Sequence, residues 1–254
     1  VHEAPCRCGI ACSFHRSQKA VQQKVCLTGK RKKVKVIKSK ITEVLILEPS
    51  QPANTSAPAK MRETFSVRSM HSCGVDTLFL SENQVRLPYN DMLCGMYYEL
   101  CPDQQAKLIS CQRGSAILGV TDIRADSPNF GQSNVISISE ENERSVYLPR
   151  GFAFGVLTRS EDVVLQFRFE NRWDPEKERV FNALDKETGL QWSSADYIMS
   201  STQRYAPLLF TVRSEVDAIE KKRISEEFER ISGGPLVCEE EDEETLEFVE
   251  EPLV

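Results

Sequence analysis

Histidine is scarce in this chain, with three residues in 254: His2, His15 and His71. A centre in which several imidazoles converge from different strands is therefore not available to the body of the protein, which holds only His71. Long apolar runs are missing too. No stretch approaches the roughly 20 residues that a membrane-spanning helix needs, so no span is expected. Nothing repeats internally. The start lacks an apolar signal-like segment and opens on Val1, which suits a fragment or a processed chain. Cysteine is not lacking, but its nine residues form no compact framework of even spacings. That favours free thiols in a reducing, intracellular compartment, with an organelle such as the mitochondrion as the suspected setting.

What is present is an ordinary globular composition, 40% hydrophobic and 28% charged, enough for one large β domain with extensions or for two small domains. The net charge of −6 hides a split. Residues 1–40 carry eleven Lys and Arg against Glu3 alone, and 239–251 carry nine acids and no base. Such asymmetry points to two tails with partners of their own.

Between the tails, Val34–Glu48 alternates and then becomes a continuous apolar run, which predicts a strand. Pro49–Lys60 reads as a loop. Short β-rich runs follow: ETFSV, DTLFL, MYYEL, AKLISC, SAILGV, VISIS, SVYLP, FAFGVLT and VVLQFRF. Turn signals such as Pro102–Asp103 and Arg113–Gly114 separate them, a spacing that predicts a sandwich or barrel. Ser214–Ser232 is the strongest helix, with Ser214 and Asp217 as a capping box and a stripe of Val216, Ile219, Ile224, Phe228 and Ile231. Its stripe is expected to dock on the β core. Gly233–Gly234–Pro235 stops it, and the acidic residues beyond read as a solvated tail.

Three stretches carry a family resemblance: Gln105–Gln132, Glu141–Thr158 and Asp174–Trp192. They resemble the dTDP-4-dehydrorhamnose 3,5-epimerase family, as do Ile41–Pro49, Glu63–Phe65 and Phe79–Gln84 upstream. The resemblance runs from Val34 to Trp192. It implies an all-β, cupin-type jelly-roll sandwich, and a homodimer formed by exchange of N-terminal strands. The expected layout is a basic Cys-rich extension (1–33), the epimerase-like domain (34–200), a helical segment (201–238) and the acidic tail (239–254).

The family reaction removes a proton beside a sugar ketone and returns it on the opposite face, which needs a base and an acid of suitable pKa. The resemblance places the base, a His in Arg-Gly-Leu-His-Tyr, at Tyr97, and the motif's diphosphate-neutralising Arg at Cys94. An unperturbed phenol, with a pKa of ~10, makes a poor base at neutral pH. A second motif His falls at Phe154. The family's acid, a Tyr, falls at Arg172 or Trp173. Lys107 matches a substrate-binding lysine, and Asp185 matches the carboxylate that orients the missing His. Three readings of this altered pocket stay open: it is filled, its specificity has changed, or Tyr97 serves new chemistry. With three His in the chain, a cupin metal site is not expected.

Outside the resemblance, Cys6, Cys8, Cys12 and His15 place four soft ligands within ten residues. They suit zinc chemically, although the spacing is not that of a common finger, and Cys26 could replace one ligand. Unliganded thiols, redox roles or a disulfide are the alternatives. Lys30, Arg31, Lys32, Lys33 and Lys35 open a basic run that could neutralise phosphates of RNA or another polyanion, or simply protect a strand edge. No other cofactor is implied. The expectation is an epimerase scaffold without its proton-transfer groups, serving as a structural or binding subunit of a larger protein assembly such as an organellar ribonucleoprotein. The alternative is a sugar-nucleotide epimerase or isomerase with altered chemistry.

Overall fold

The computed structural model describes residues 34–49, 63–193 and 196–231. Alternating residues build two antiparallel sheets that face each other. One runs β1 (Lys35–Lys38), β2 (Leu45–Glu48), β8 (Ser145–Leu148), β5 (Lys107–Arg113), β10 (Val163–Phe169), β3 (Ser81–Leu87). The other runs β11 (Glu178–Val180), β4 (Leu93–Glu99), β9 (Phe152–Thr158), β6 (Ser115–Asp122), β7 (Ser133–Ser139). This is the sandwich of a cupin-type jelly roll. Inward residues of both sheets, among them Ile109, Leu118, Ile138, Val146 and Leu165, form the main core.

The first strand expectation needs correction. Val34–Glu48 is a hairpin, with Lys38 opposite Leu45 and Lys35 opposite Glu48. The Ser39 hydroxyl accepts the Ile41 N–H, and the Val44 N–H reaches the Ile41 carbonyl at 3.1 Å. Ile41 and Val44 are buried, so the turn itself is packed. ETFSV and DTLFL are not strands either. The Ser66 hydroxyl accepts the Ser69 N–H and starts α1 (Val67–Ser72), whose Met70 packs on Leu47, Val75 and Leu108. Pairing resumes only at β3.

A second core lies on the outer face of the five-stranded sheet, where Leu93, Met96, Leu157 and Phe181 meet Leu209, Val212 and Val216. This explains why every residue of β9 is buried: it has protein on both faces. The chain reaches this layer through α2 (Ser201–Arg204) and α3 (Leu209–Ile231). The helix starts one turn before the expected capping box; Ser214 lies inside it and donates to the Phe210 carbonyl. Only the first half of its stripe docks. From Lys221 onward every described residue of the helix is exposed, Ile224, Phe228 and Ile231 included. No described helix is long and apolar enough to cross a membrane.

Candidate functional site

The site forms where β4 breaks its own period. Cys94 and Tyr97 are three residues apart, so strict alternation would send them to opposite faces. Between them β4 gains one residue on β9: Cys94 lies opposite Val156 and Tyr97 opposite Phe154. Gly95 makes the bulge possible, with φ of 107° and no room for a side chain. A Cβ there would lie 2.7 Å from the Gly155 Cα and from the Phe154 carbonyl. Cys94 and Tyr97 therefore both face inward, while Leu93 and Met96 face the outer core.

They line a cavity of about 260 Å³ inside the sandwich. Its walls are mainly apolar, with Phe154, Leu165, Phe167 and Phe169 supplying much of the surface. Three titratable groups reach it: Cys94, Tyr97 and Glu178. Burial pushes the Tyr97 phenol up to about 12. It likewise raises the Cys94 thiol and the Glu178 carboxyl above their ordinary values. Trp173 closes one side, and its indole N–H donates to Glu178 at 3.2 Å. Beyond Trp173 lies a second cavity of about 570 Å³, lined also by Arg172 and Glu99. Sites for small molecules usually span roughly 300–1,000 Å³, so the two together offer room for a sizeable ligand.

The residues that the resemblance singled out, as degenerate catalytic positions or as ligand contacts, divide. Cys94, Tyr97, Phe154 and Trp173 share the cavity wall; Arg172 lines only the neighbouring one. Lys107 is almost wholly buried and is not on the wall. Its ammonium sits 2.5 Å from Glu99, and the rings of Phe154 and Phe169 lie about 6 Å away. Burial lowers its pKa while Glu99 opposes the shift. Asp185 caps a single 3-10 turn at Lys186–Thr188 and takes the Leu209 N–H at 2.7 Å, so its carboxylate is engaged away from Tyr97. Position 97 instead meets Gln203, whose amide donates to the phenol oxygen at 2.6 Å.

Gln203, Glu178 and Phe167 are the residues that sequence reasoning missed. Glu178 stood in the family-like stretch and pairs with Glu99 two residues from Tyr97, so strand alternation could have flagged it. For Gln203 the sequence held no local signal. Lys35 lies on β1, paired with Glu48 at 3.3 Å. Cys6, Cys8, Cys12 and His15, and Lys30, Arg31, Lys32 and Lys33, fall outside the described residues. Among the described residues no group of three or more His, Cys, Asp or Glu comes together as a metal site.

Comparison with known proteins agrees with this architecture. The profile of dTDP-4-dehydrorhamnose 3,5-epimerase matches residues 38–210. A protein of that description from Salmonella typhimurium is 30% identical over 176 residues, covering 68% of this chain and 94% of the relative. The dTDP-6-deoxy-D-glucose-3,5-epimerase of Legionella pneumophila, solved with dTDP-4-keto-L-rhamnose, superposes with a TM-score of 0.66 at 27% identity, covering 72% of this chain and 96% of that one. A double mutant of a 3'-monoepimerase from Streptomyces bikiniensis, with a histidine and a tyrosine replaced and dTDP bound, gives 0.63 at 25% identity, covering 75% and 98%. The profile match over most of the sandwich and the Salmonella relative together settle the lineage: the chain belongs to the dTDP-4-dehydrorhamnose 3,5-epimerase family.

Proposed function

We propose that the cavity binds a 4-keto-6-deoxy sugar carried on a nucleotide and moves protons beside its ketone, as an epimerase or isomerase with rearranged groups. The observation that carries this reading is the convergence of Glu178, Tyr97 and Cys94 on one mainly apolar cavity. A carboxyl with a raised pKa is a stronger base once ionised, as a carbon acid requires. Glu178 takes the proton from the carbon next to the carbonyl. The bonding pair moves to the carbonyl oxygen, and the Tyr97 O–H stabilises the charge that develops there. Return of the proton from Glu178 restores the original centre. Delivery from another donor on the opposite face of the ring, the Cys94 thiol, inverts it; Glu178 then releases its proton to solvent, and the thiolate takes one up. The relative solved with dTDP-4-keto-L-rhamnose and the double mutant that holds dTDP supply the substrate class.

A second reading is favoured by Gln203 on Tyr97 and by Phe154 and Phe167 in the wall: the chain binds such a ligand without turnover and serves as a subunit of a larger assembly, its basic segment meeting RNA. Pairing of two copies belongs to both readings, and sedimentation equilibrium tests it. Incubation with a dTDP-4-keto-6-deoxy sugar in D₂O separates them. Deuterium entering at C3 or C5, and lost in Glu178→Gln, supports the first. Saturable binding with no exchange sinks the first and leaves the second.

A further inference from the structure

Gln203 is the side chain behind position 97, and its chemistry differs from that of a carboxylate in one respect that matters. An amide nitrogen can only donate; a carboxylate oxygen can only accept. The Gln203 nitrogen donates to the Tyr97 oxygen at 2.6 Å, so the phenol already holds a donor from behind. The phenol keeps its own hydrogen for an acceptor on its other side, where the cavity lies. A carboxylate at 203 would draw that hydrogen away from the ligand and bias position 97 toward accepting a proton.

We infer that Gln203 is a positioning residue that sets the proton role of position 97, holding Tyr97 as a donor to the bound ligand and not as a base. This rests on the proposed ligand site but not on turnover there. The segment carrying it is fixed independently of any ligand. The Ser200 hydroxyl caps α2 by taking the Gln203 N–H, Ile198 bridges to Met92, and Asn182 donates to the Arg204 carbonyl. Gln203 itself is half-buried, so its substitution need not unfold the domain.

The test reads the contact directly. With [ζ-13C]tyrosine labelling, Tyr97→Phe identifies one resonance among the six tyrosines. Gln203→Leu is expected to shift that resonance while the fold remains; an unmoved resonance in a folded protein overturns the inference. A second arm places an imidazole at the position with Tyr97→His and titrates it by 1H–15N NMR. Adding Gln203→Asp is expected to raise its midpoint by about one unit or more, as a carboxylate neighbour does. Equal midpoints in the two backgrounds overturn the inference. If the wild-type protein catalyses exchange, Gln203→Glu is expected to lower kcat at least tenfold with KM within twofold. Absence of exchange would sink the proposed reaction yet leave both spectroscopic arms decisive for Gln203.

Discussion

Gln203 and Tyr97 meet at 2.6 Å across 106 residues of sequence. The partner of Tyr97 is thus brought in by the C-terminal segment, which leaves the sandwich and comes back to its wall. Residues 196–208 are more than a connection to α3. Ile198 takes part in a parallel bridge with Met92, and its carbonyl accepts the Leu93 N–H at 3.0 Å. Sheet and segment therefore hold the cavity together, with strand register on one side and α2 on the other.

Glu178 makes the first prediction, through its dependence on pH. Burial raises its folded pKa above 4.5, and the Trp173 N–H opposes that rise. Trp173→Phe keeps an aromatic wall but removes the donor, so the carboxyl titrates higher still. The rising limb of exchange against pH is then expected to move up by up to about one unit. An unchanged limb would show that Glu178 is not the group being titrated.

The same group affects stability, with a definite sign. The folded state holds the Glu178 proton more tightly than the unfolded state does. The stabilisation it gives is complete below the unfolded pKa of 4.5 and disappears as pH rises through the folded value. Glu178→Gln removes this dependence. Its midpoint in urea is expected to gain on the wild type between pH 4.5 and 7, a window in which an equal slope for both proteins would contradict the assignment.

How far the sequence revealed this molecule depended on range. β4 to β10 were legible because each is a run of alternating or doubly buried residues between turn residues. The hairpin at residues 35–48 was not, since a packed turn at Ile41 and Val44 looks like continuous strand. α1 was hidden in β-rich residues and set by the Ser66 cap. Positions 94, 97 and 154 were singled out by resemblance and share the cavity, whereas Asp185, expected behind position 97, lies elsewhere. Its carboxylate is spent on the backbone of Glu187 and Leu209. A side-chain contact over such a distance leaves no period or spacing to read.

Lys107 and Glu99 yield a prediction about energetics. Both are about 95% or more buried, and neither can be removed alone without stranding the other's charge. Glu99→Gln or Lys107→Met is expected to cost about 3–5 kcal/mol, whereas the double substitution to apolar residues should recover most of it. A double-mutant cycle by urea unfolding measures the coupling. Additive losses would mean that the pair is not an isolated ion pair, and that Gln105, whose amide also donates to Glu99, shares the load.

The two halves of α3 should respond differently to substitution. Val212 is fully buried against the outer core, so Val212→Ala is expected to cost roughly 1–3 kcal/mol in transfer and cavity terms. Ile224 and Ile231 are exposed, and replacing each by Ser should change stability by no more than about 0.5 kcal/mol. Large losses from those exposed positions would indicate a partner for that half in solution.

Gly95 joins fold and site in one residue. The bulge puts Cys94 and Tyr97 on the same wall, and it needs both a positive φ and an absent side chain. The neighbours in the way are backbone atoms of β9, which cannot move as a flexible side chain would. Gly95→Ala must therefore either part β4 from β9 or remove the bulge. Loss of the bulge returns the strand to strict alternation and turns Cys94 or Tyr97 out of the cavity. The expected cost is roughly 2–4 kcal/mol in urea unfolding, together with loss of the Tyr97–Gln203 hydrogen bond in the tyrosine 13Cζ spectrum. Gly119, on β6, supplies the contrast. Its Cβ would meet the ring of Trp192 and no cavity group, so Gly119→Ala is expected to destabilise the outer layer while leaving that resonance in place. Equal effects of the two substitutions on the Tyr97 signal would mean that the bulge is not what aims Tyr97.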